Sequence, residues 1–208
     1  MHPNPAFRQT PESQNLTLAR DRGFGVLSMN GDDGPLISHV PFVVSDDGVF
    51  ADLHLVRSNP ITRALVAGPQ KAVIAVSGPD AYISPDWYGV EDQVPTWNYV
   101  AVHLRGEVSL RDVDDLKPHL DELAAHFEAR LLPKPPWTND KVTPEAFSKL
   151  LRMIVPIRLN IETIDGTWKL GQNKGDAARK GAADNLNEVG FGHDVPTLAR
   201  LMHDATGA

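Results

Sequence analysis

Two turn signals set close together constrain this chain more than any other feature: Asn30-Gly31-Asp32-Asp33-Gly34 and Asp46-Asp47-Gly48. Asn and Gly adopt positive φ at little cost, so both stretches read as reversals. Phe24 to Met29 leads into the first, Leu36 to Val44 lies between them, and Val49 to Leu55 leaves the second. All three segments are apolar enough for strands, and this spacing predicts an antiparallel meander.

The other elements fall around that meander. Residues 12–21 read as a short amphipathic helix, with Leu16, Leu18 and Ala19 near one face and Gly23 ending it. Asn59 is a favoured N-cap, and Pro60 suits the first helical position because its missing N–H would be unpaired there. Gly68-Pro69 stops that helix; Lys71 to Ser77, Ala81 to Ile83 and Tyr99 to Leu110 then read as strands. Val113, Leu116, Leu120, Leu123, Ala124 and Phe127 recur at helical spacing, and Pro118 predicts a late start or a kink. A stiff loop, Leu132 to Trp137, precedes a helix over Pro144 to Met153 with Thr143 as its cap. Ile154 to Thr163 is a strand, Asp165-Gly166 a turn, and the rest from about Lys174 is helical with breaks at Gly190 and Gly192. Strands and helices do not alternate as crossover units require, so the expectation is an α+β fold built on a small antiparallel barrel.

Composition narrows the function. At 208 residues the chain suits one domain, or one domain with an extension. It has no cysteine, which excludes disulfides and thiolate chemistry. A formal net charge of −7 argues against broad nucleic-acid binding, which rests on neutralised phosphates. Arg179-Lys180 is the only adjacent basic pair and reads as a solvated helix face. Met1-His2-Pro3-Asn4-Pro5 lacks the basic and apolar regions of a secretory signal, and no stretch is apolar enough for a membrane span. A cytoplasmic protein with no membrane partner is expected.

Several segments could carry chemistry. Arg57 and Ser58 stand where a strand ends, just before Asn59-Pro60. A guanidinium beside unpaired N–H groups suits a phosphate; the plainer reading is an N-cap beside a surface arginine. Pro41, within Leu36 to Phe42, removes a ladder donor, so that strand should be an edge or carry a distortion that frees backbone for a ligand. Tyr82, Trp87, Tyr88, Trp97 and Tyr99 cluster in sequence beside Asn98, which suits a planar heterocycle and equally a core plug or an interface. Gln172, Asn173 and Lys174 could reach a phosphate or ring edge, or form a polar loop. His119, Glu122 and His126 share a helix face, and His39, His54 and His103 sit on strands; structural roles are favoured over metal for both sets. Gly23-Phe24-Gly25 precedes a strand rather than following one, so it is not a dinucleotide fingerprint, and no Walker loop, G-x-S-x-G or H-E-x-x-H is present.

In order along the chain, these segments resemble the PaiB-type family of FMN-binding negative transcriptional regulators. The matching pieces are Ile37-Ser38-His39-Val40-Pro41-Phe42, His54 to Pro60, Tyr82 to Tyr88, Val94 to Tyr99 with Val102-His103 and Gly106, His126-Phe127-Glu128, and Trp168 to Lys174. The resemblance runs over residues 1–186 and leaves 187–208 as a helical extension of unknown role. It implies an antiparallel split β-barrel of the FMN-binding type, with inserted and C-terminal helices, in a homodimer that holds FMN at the subunit interface. By the same resemblance, Arg57, Ser58 and Asn59 would hold the phosphate, and His39 and Pro41 would lie along the isoalloxazine edge. Trp97 and Asn98 would close the pocket from the partner subunit, and Gln172 and Lys174 would reach it from the C-terminal segment. Gly171 departs from the family motif, where a serine is expected.

Three functions stay open at this point. The first is an FMN-binding regulator acting through a partner protein, with direct DNA contact less favoured because no helix-turn-helix or basic stripe is present. The second is a flavin oxidoreductase using NAD(P)H, with His39 or Tyr99 as proton donor. The third is an interaction module that has lost the flavin or holds haem.

Overall fold

The computed structural model describes residues 1–206; Gly207 and Ala208, at the end of the 187–208 extension, lie outside the described residues. The expected meander is present as β1 (Phe24–Met29), β2 (Leu36–Val44) and β3 (Phe50–Val56). α1 (Glu12–Arg22) precedes it, and α2 (Pro60–Leu65) follows it. Next come β4 (Gln70–Ile83), β5 (Thr96–Leu110), α3 (Leu116–Glu128), α4 (Pro144–Leu151) and β6 (Ile154–Lys169). The chain ends with α5 (Asp176–Val189), the two-residue β7 (Gly192–His193) and α6 (Val195–Asp204). The sheet has the order β1-β2-β3-β6-β5-β4-β7, and β1 pairs back onto β4, so the barrel closes as the α+β expectation requires.

Three local expectations are corrected, and the choice between a late start and a kink at Pro118 falls to the late start. Lys71 to Ser77 and Ala81 to Ile83 are parts of one strand, β4. Asp165-Gly166 is no turn but lies inside β6. Glycine is needed there for a different reason: a Cβ at Gly166 would sit 2.1 Å from Asn15 Oδ1, the atom that accepts the Trp168 indole N–H at 2.8 Å. β2 is not an edge, although Pro41 does mark a handover. Its β1 partners run from Leu36 to Pro41, and its β3 partners begin at Phe42. Pro118 causes no kink, because α3 starts at Leu116 and places it in the first turn, where no helical bond is lost.

The chain forms two compact units. The barrel unit comprises residues 19–76 and 103–164. β1, β2 and β5 bury alternate residues, the period of a one-sided sheet. Leu27, Phe42, Leu53, Ile74, Leu104, Val108, Ile157 and Leu159 make up its interior. Each such side chain contributes about 1.5–3 kcal/mol on burial. Gly106 has no room for a side chain, since a Cβ would lie 1.7 Å from the Asn160 carbonyl oxygen.

The other unit gathers, among the described residues, 1–18, 77–102 and 165–206. Its core joins Ile83, Tyr88 and Val100 to Trp168 and Leu170, and to Leu186, Leu198 and Met202 of α5 and α6. β7 adds to β4 through Asp80↔His193 and Ala81↔Gly192. Beyond residue 186, Leu198, Ala199 and Met202 pack into this unit's core. Arg179, expected on a solvated face, is only 1% exposed, while Lys180 is exposed. No helix among the described residues is long and apolar enough to cross a membrane.

Candidate functional site

The barrel unit carries five of the expected site residues: His39, Pro41, Arg57, Ser58 and Asn59. Asn59 caps α2 as its sequence indicated, with Oδ1 accepting the Ile61 N–H at 2.9 Å. Its amide nitrogen donates to Ser38 Oγ at 3.2 Å, which fastens β2 to the β3–α2 turn. The sequence gives Ser38 no evident role, and its only signal is its place beside His39 on β2. Arg57 is exposed and donates Nε to the Arg152 carbonyl at 2.7 Å. Its backbone N–H bonds the Met153 carbonyl at 2.9 Å. The guanidinium is thus anchored at one nitrogen, and its two terminal nitrogens make no hydrogen bond among the described residues. Ser58 is exposed beside it.

His39 and Pro41 alternate with Ser38 and Val40 along β2, so they occupy the opposite, outer face. His39 is exposed, with its ring stacked near Phe24 at a centroid separation of 6.4 Å. Pro41 is half-buried and lines an apolar groove with α3 and α4.

The other unit holds Trp97, Asn98, Gln172 and Lys174. Trp97 is 46% exposed and meets Tyr82 and Phe191 edge to face, while those two rings stack on each other at 5.5 Å. Phe191 was not anticipated, because it is distant in sequence and follows a helix break. Asn98 is buried, with its amide against Met202 Sδ at 3.4 Å. Gln172 is turned back on its own loop: Oε1 accepts the Leu170 N–H at 2.8 Å, and Nε2 donates to the Trp168 carbonyl at 2.7 Å. Lys174 donates to Gln93 and lies 5.4 Å from the centre of the Tyr88 ring. Gly171 has φ +81, a left-handed conformation in which a serine would be strained. Lys169, also unanticipated, donates to Thr96 Oγ1 and to the Trp97 carbonyl at 2.8 Å. Burial, then the neighbouring Lys174 charge, lowers its ammonium from the ordinary lysine value.

The histidines do not assemble as either sequence grouping suggested. His54 pairs with His119, Nδ1 to Nε2 at 3.1 Å. His126 lies against Arg130 and the Arg20 carbonyl, and His103 beside Arg105. His119 is 2% exposed, and its Nδ1 has no partner among the described residues. Burial, then the His54 ring, lowers its pKa to about 4, so the ring is neutral near pH 7. Among the described residues no group of His, Asp and Glu is disposed to hold a metal ion.

A family model described as "Putative FMN-binding domain" matches residues 1–163. The chain is 29% identical over 201 residues to the protease synthase and sporulation protein PAI 2 of Bacillus subtilis (strain 168), covering 95% of this chain and 94% of that protein. It is 26% identical over 223 residues to an uncharacterized protein of Aspergillus fumigatus, covering 82% and 85%. Among solved structures, the FAD and heme binding protein from Mycobacterium smegmatis is similar at TM-score 0.59 and 16% identity, over 90% of this chain and 82% of that one. The flavocytochrome Anf3 from Azotobacter vinelandii is similar at TM-score 0.53 and 15% identity, over 79% and 70%. At these identities the structural likeness shows a shared barrel fold.

Proposed function

Since the chain belongs to the FMN-binding domain family, with FMN as its cofactor, we propose that two copies hold the flavin non-covalently at their interface and that the loaded protein regulates transcription through a partner protein. The observation that carries the binding site is the donor set at the β3–α2 turn. Arg57 offers two uncommitted guanidinium nitrogens and Ser58 an exposed hydroxyl, beside the Ser38–Asn59 bond that holds the turn in place. A cation with paired donors and a hydroxyl suits a phosphate dianion. The outer face of β2 offers Pro41 and the His39 ring for the flat part of the cofactor. When bound, FMN supplies redox chemistry of its own, and the protein supplies grip and orientation.

The remaining residues act in other ways under this reading. Trp97 from the second copy supplies an exposed aromatic face. Asn98, Gln172 and Lys174 shape their own unit, since their polar groups are engaged with Met202, with the Trp168 and Leu170 backbone, and with Gln93. The net charge of −7 supports an indirect regulatory role, because direct DNA contact needs a positive face. The name of the Bacillus subtilis relative, which refers to a protease synthase and to sporulation, supports a regulatory role.

Titration of the purified chain with FMN, followed by flavin fluorescence, tests the cofactor; sedimentation tests the dimer. Saturable quenching at one FMN per chain is the expected result. Arg57→Ala should weaken binding by about 1.5–3 kcal/mol, roughly tenfold or more, through loss of a charge-assisted bond. Undiminished affinity in that variant removes Arg57 from the site, and a flavin spectrum that bleaches catalytically with NAD(P)H moves the reading to an oxidoreductase.

A further inference from the structure

Trp97, the ring that the second copy supplies to the proposed site, is 46% exposed, yet it meets two other rings. An exposed indole with no neighbours is free to change rotamer. A free side chain must be ordered when a ligand binds, and that ordering weakens binding. The surroundings of Trp97 therefore bear on how well it can grip a flat cofactor.

The base of the side chain is fixed by its own strand. Asn98, the next residue of β5, is buried with its amide against Met202, and the Trp97 carbonyl accepts the Lys169 ammonium at 2.8 Å. The ring is met from the neighbouring strands, since β5, β4 and β7 are adjacent in the sheet in that order. Tyr82 of β4 stands between the buried Ala81 and Ile83, so strand alternation turns it to the outer face. Phe191, immediately before β7, stacks on Tyr82 at 5.5 Å with the ring planes 13° apart. Trp97 lies edge to face with both, 6.3 Å from Tyr82 at 75° and 5.9 Å from Phe191 at 85°. Both are favoured geometries for aromatic pairs.

Phe191 is placed by its backbone. Its carbonyl accepts the Tyr82 N–H at 3.4 Å, and the two residues that follow pair with Ala81 and Asp80. A Cβ at Gly192 would lie 2.1 Å from the Asp80 carbonyl oxygen, so only glycine lets this segment run so close to β4. The Phe191 ring itself is 60% exposed, so its own burial does not account for its place. It also lies beyond residues 1–163, the part of the chain matched to the FMN-binding family.

Resting on the reading that Trp97 faces the flavin, we propose that Phe191 is a positioning residue of that site. Stacked on Tyr82, it holds the Trp97 indole in the orientation that the second copy presents to the isoalloxazine. The segment after α5 thereby serves the cofactor without touching it.

The test is titration of the full-length chain with FMN by flavin fluorescence, with visible circular dichroism of the bound flavin reporting ring orientation. Phe191→Leu keeps apolar bulk and removes the ring. It should weaken FMN about three- to tenfold, the scale of one aromatic contact, and change the dichroism bands. Phe191→Tyr should restore both, and the urea midpoints of both variants should match the wild type. Tyr82→Leu, which removes the stack from the other side, should repeat the effects of Phe191→Leu and serves if that variant fails to fold. Trp97→Leu should weaken FMN at least as much, and adding Phe191→Leu to it should cost little more. Wild-type affinity and dichroism in Phe191→Leu, beside a loss in Trp97→Leu, overturn the proposal and leave the flavin site standing. Additive losses also overturn it, because Phe191 then acts on the flavin directly. A lowered urea midpoint with unchanged dichroism makes the role one of stability and overturns it too. Wild-type affinity in Trp97→Leu removes Trp97 from the site, and the proposal falls with that reading.

Discussion

Both units bury a charged side chain, but they compensate it differently. In the barrel unit Asp52 is 5% exposed and sits directly opposite Arg158 in the β3–β6 register. Arg158 grips it with two bonds of 2.7 Å, and Arg111 adds a third at 2.6 Å. In the other unit Arg179 is 1% exposed and donates Nε to the Met202 carbonyl at 2.9 Å. Its ionic partner, Asp176, is 2.8 Å away, but off the hydrogen-bond direction and itself exposed. The carboxylate is saturated by partners on strands or immediately after one; the guanidinium has a carbonyl and a solvated counter-ion. The first arrangement specifies which strands pair, whereas the second mainly fills space with a long side chain.

The strongest way to break that contrast is to remove Asp52. Asp52→Ala leaves two guanidinium groups without their shared acceptor. Removing one side of a buried pair costs about 3–5 kcal/mol, and the lower end applies because both arginines keep some solvent contact. A urea midpoint close to wild type would show that solvent already carries these charges and that the contrast is empty.

Acid should weaken the barrel unit next. His119 holds its neutral form down to about pH 4, while the same residue in the unfolded chain takes up a proton near the ordinary value of 6.5. The unfolded state therefore binds more protons between those values. The stability due to the neutral ring is full above 6.5 and drains as pH falls toward 4, by roughly 3 kcal/mol in all. Urea unfolding across that window should show the decline in the wild type and a flatter profile in His119→Leu. A wild-type profile that rises with acid would mean that His119 is charged in the fold.

The same contrast explains what could be read from the chain. The meander was legible because each turn lies beside the strands it joins, as Asn30-Gly31 and Asp46-Asp47-Gly48 show. Asn59 was legible as a cap for the same reason. The other unit is assembled from three separated runs, so its residues meet partners that no local pattern names. Gly166 looked like a turn glycine because nothing nearby in sequence announces Asn15. Arg179-Lys180 looked solvated because the face of α5 that packs against Leu198 and Met202 is defined only once α6 is in place. In the candidate site, Arg57 and Ser58 could be picked out from their place at a strand end. The self-bonded loop of Gln172 and the His54–His119 pair could not, since each depends on a rotamer or on a helix meeting a distant strand.

Gly166 gives a smaller and more local test. A methyl group in Gly166→Ala displaces the Asn15 carboxamide, so the buried Trp168 indole N–H loses its acceptor. An orphaned buried donor costs about 1–3 kcal/mol. If the whole effect runs through Asn15, then adding Gly166→Ala to Asn15→Ala should cost little more than Asn15→Ala alone. Additive losses would place the strain in the β6 backbone instead.

Arg179→Met should have the smallest effect, although it removes a charge from the largest fully buried side chain among the described residues of the unit. Methionine keeps most of the stem beside Gly171, where the Arg179 Cγ lies 3.5 Å from where a Cβ would be. The loss is one bond to the Met202 carbonyl, about 1 kcal/mol, and the gain is relief from holding a guanidinium out of water. The two terms oppose each other, so the urea midpoint should move by no more than about 1 kcal/mol in either direction, whereas Arg179→Ala should cost about 2 kcal/mol or more through the cavity it leaves. Equal losses in the methionine and alanine variants would show that the charge, not the stem, stabilises the helical unit. Arg179 would then stand beside Asp52 as a paired charge, and the difference between the two units would disappear.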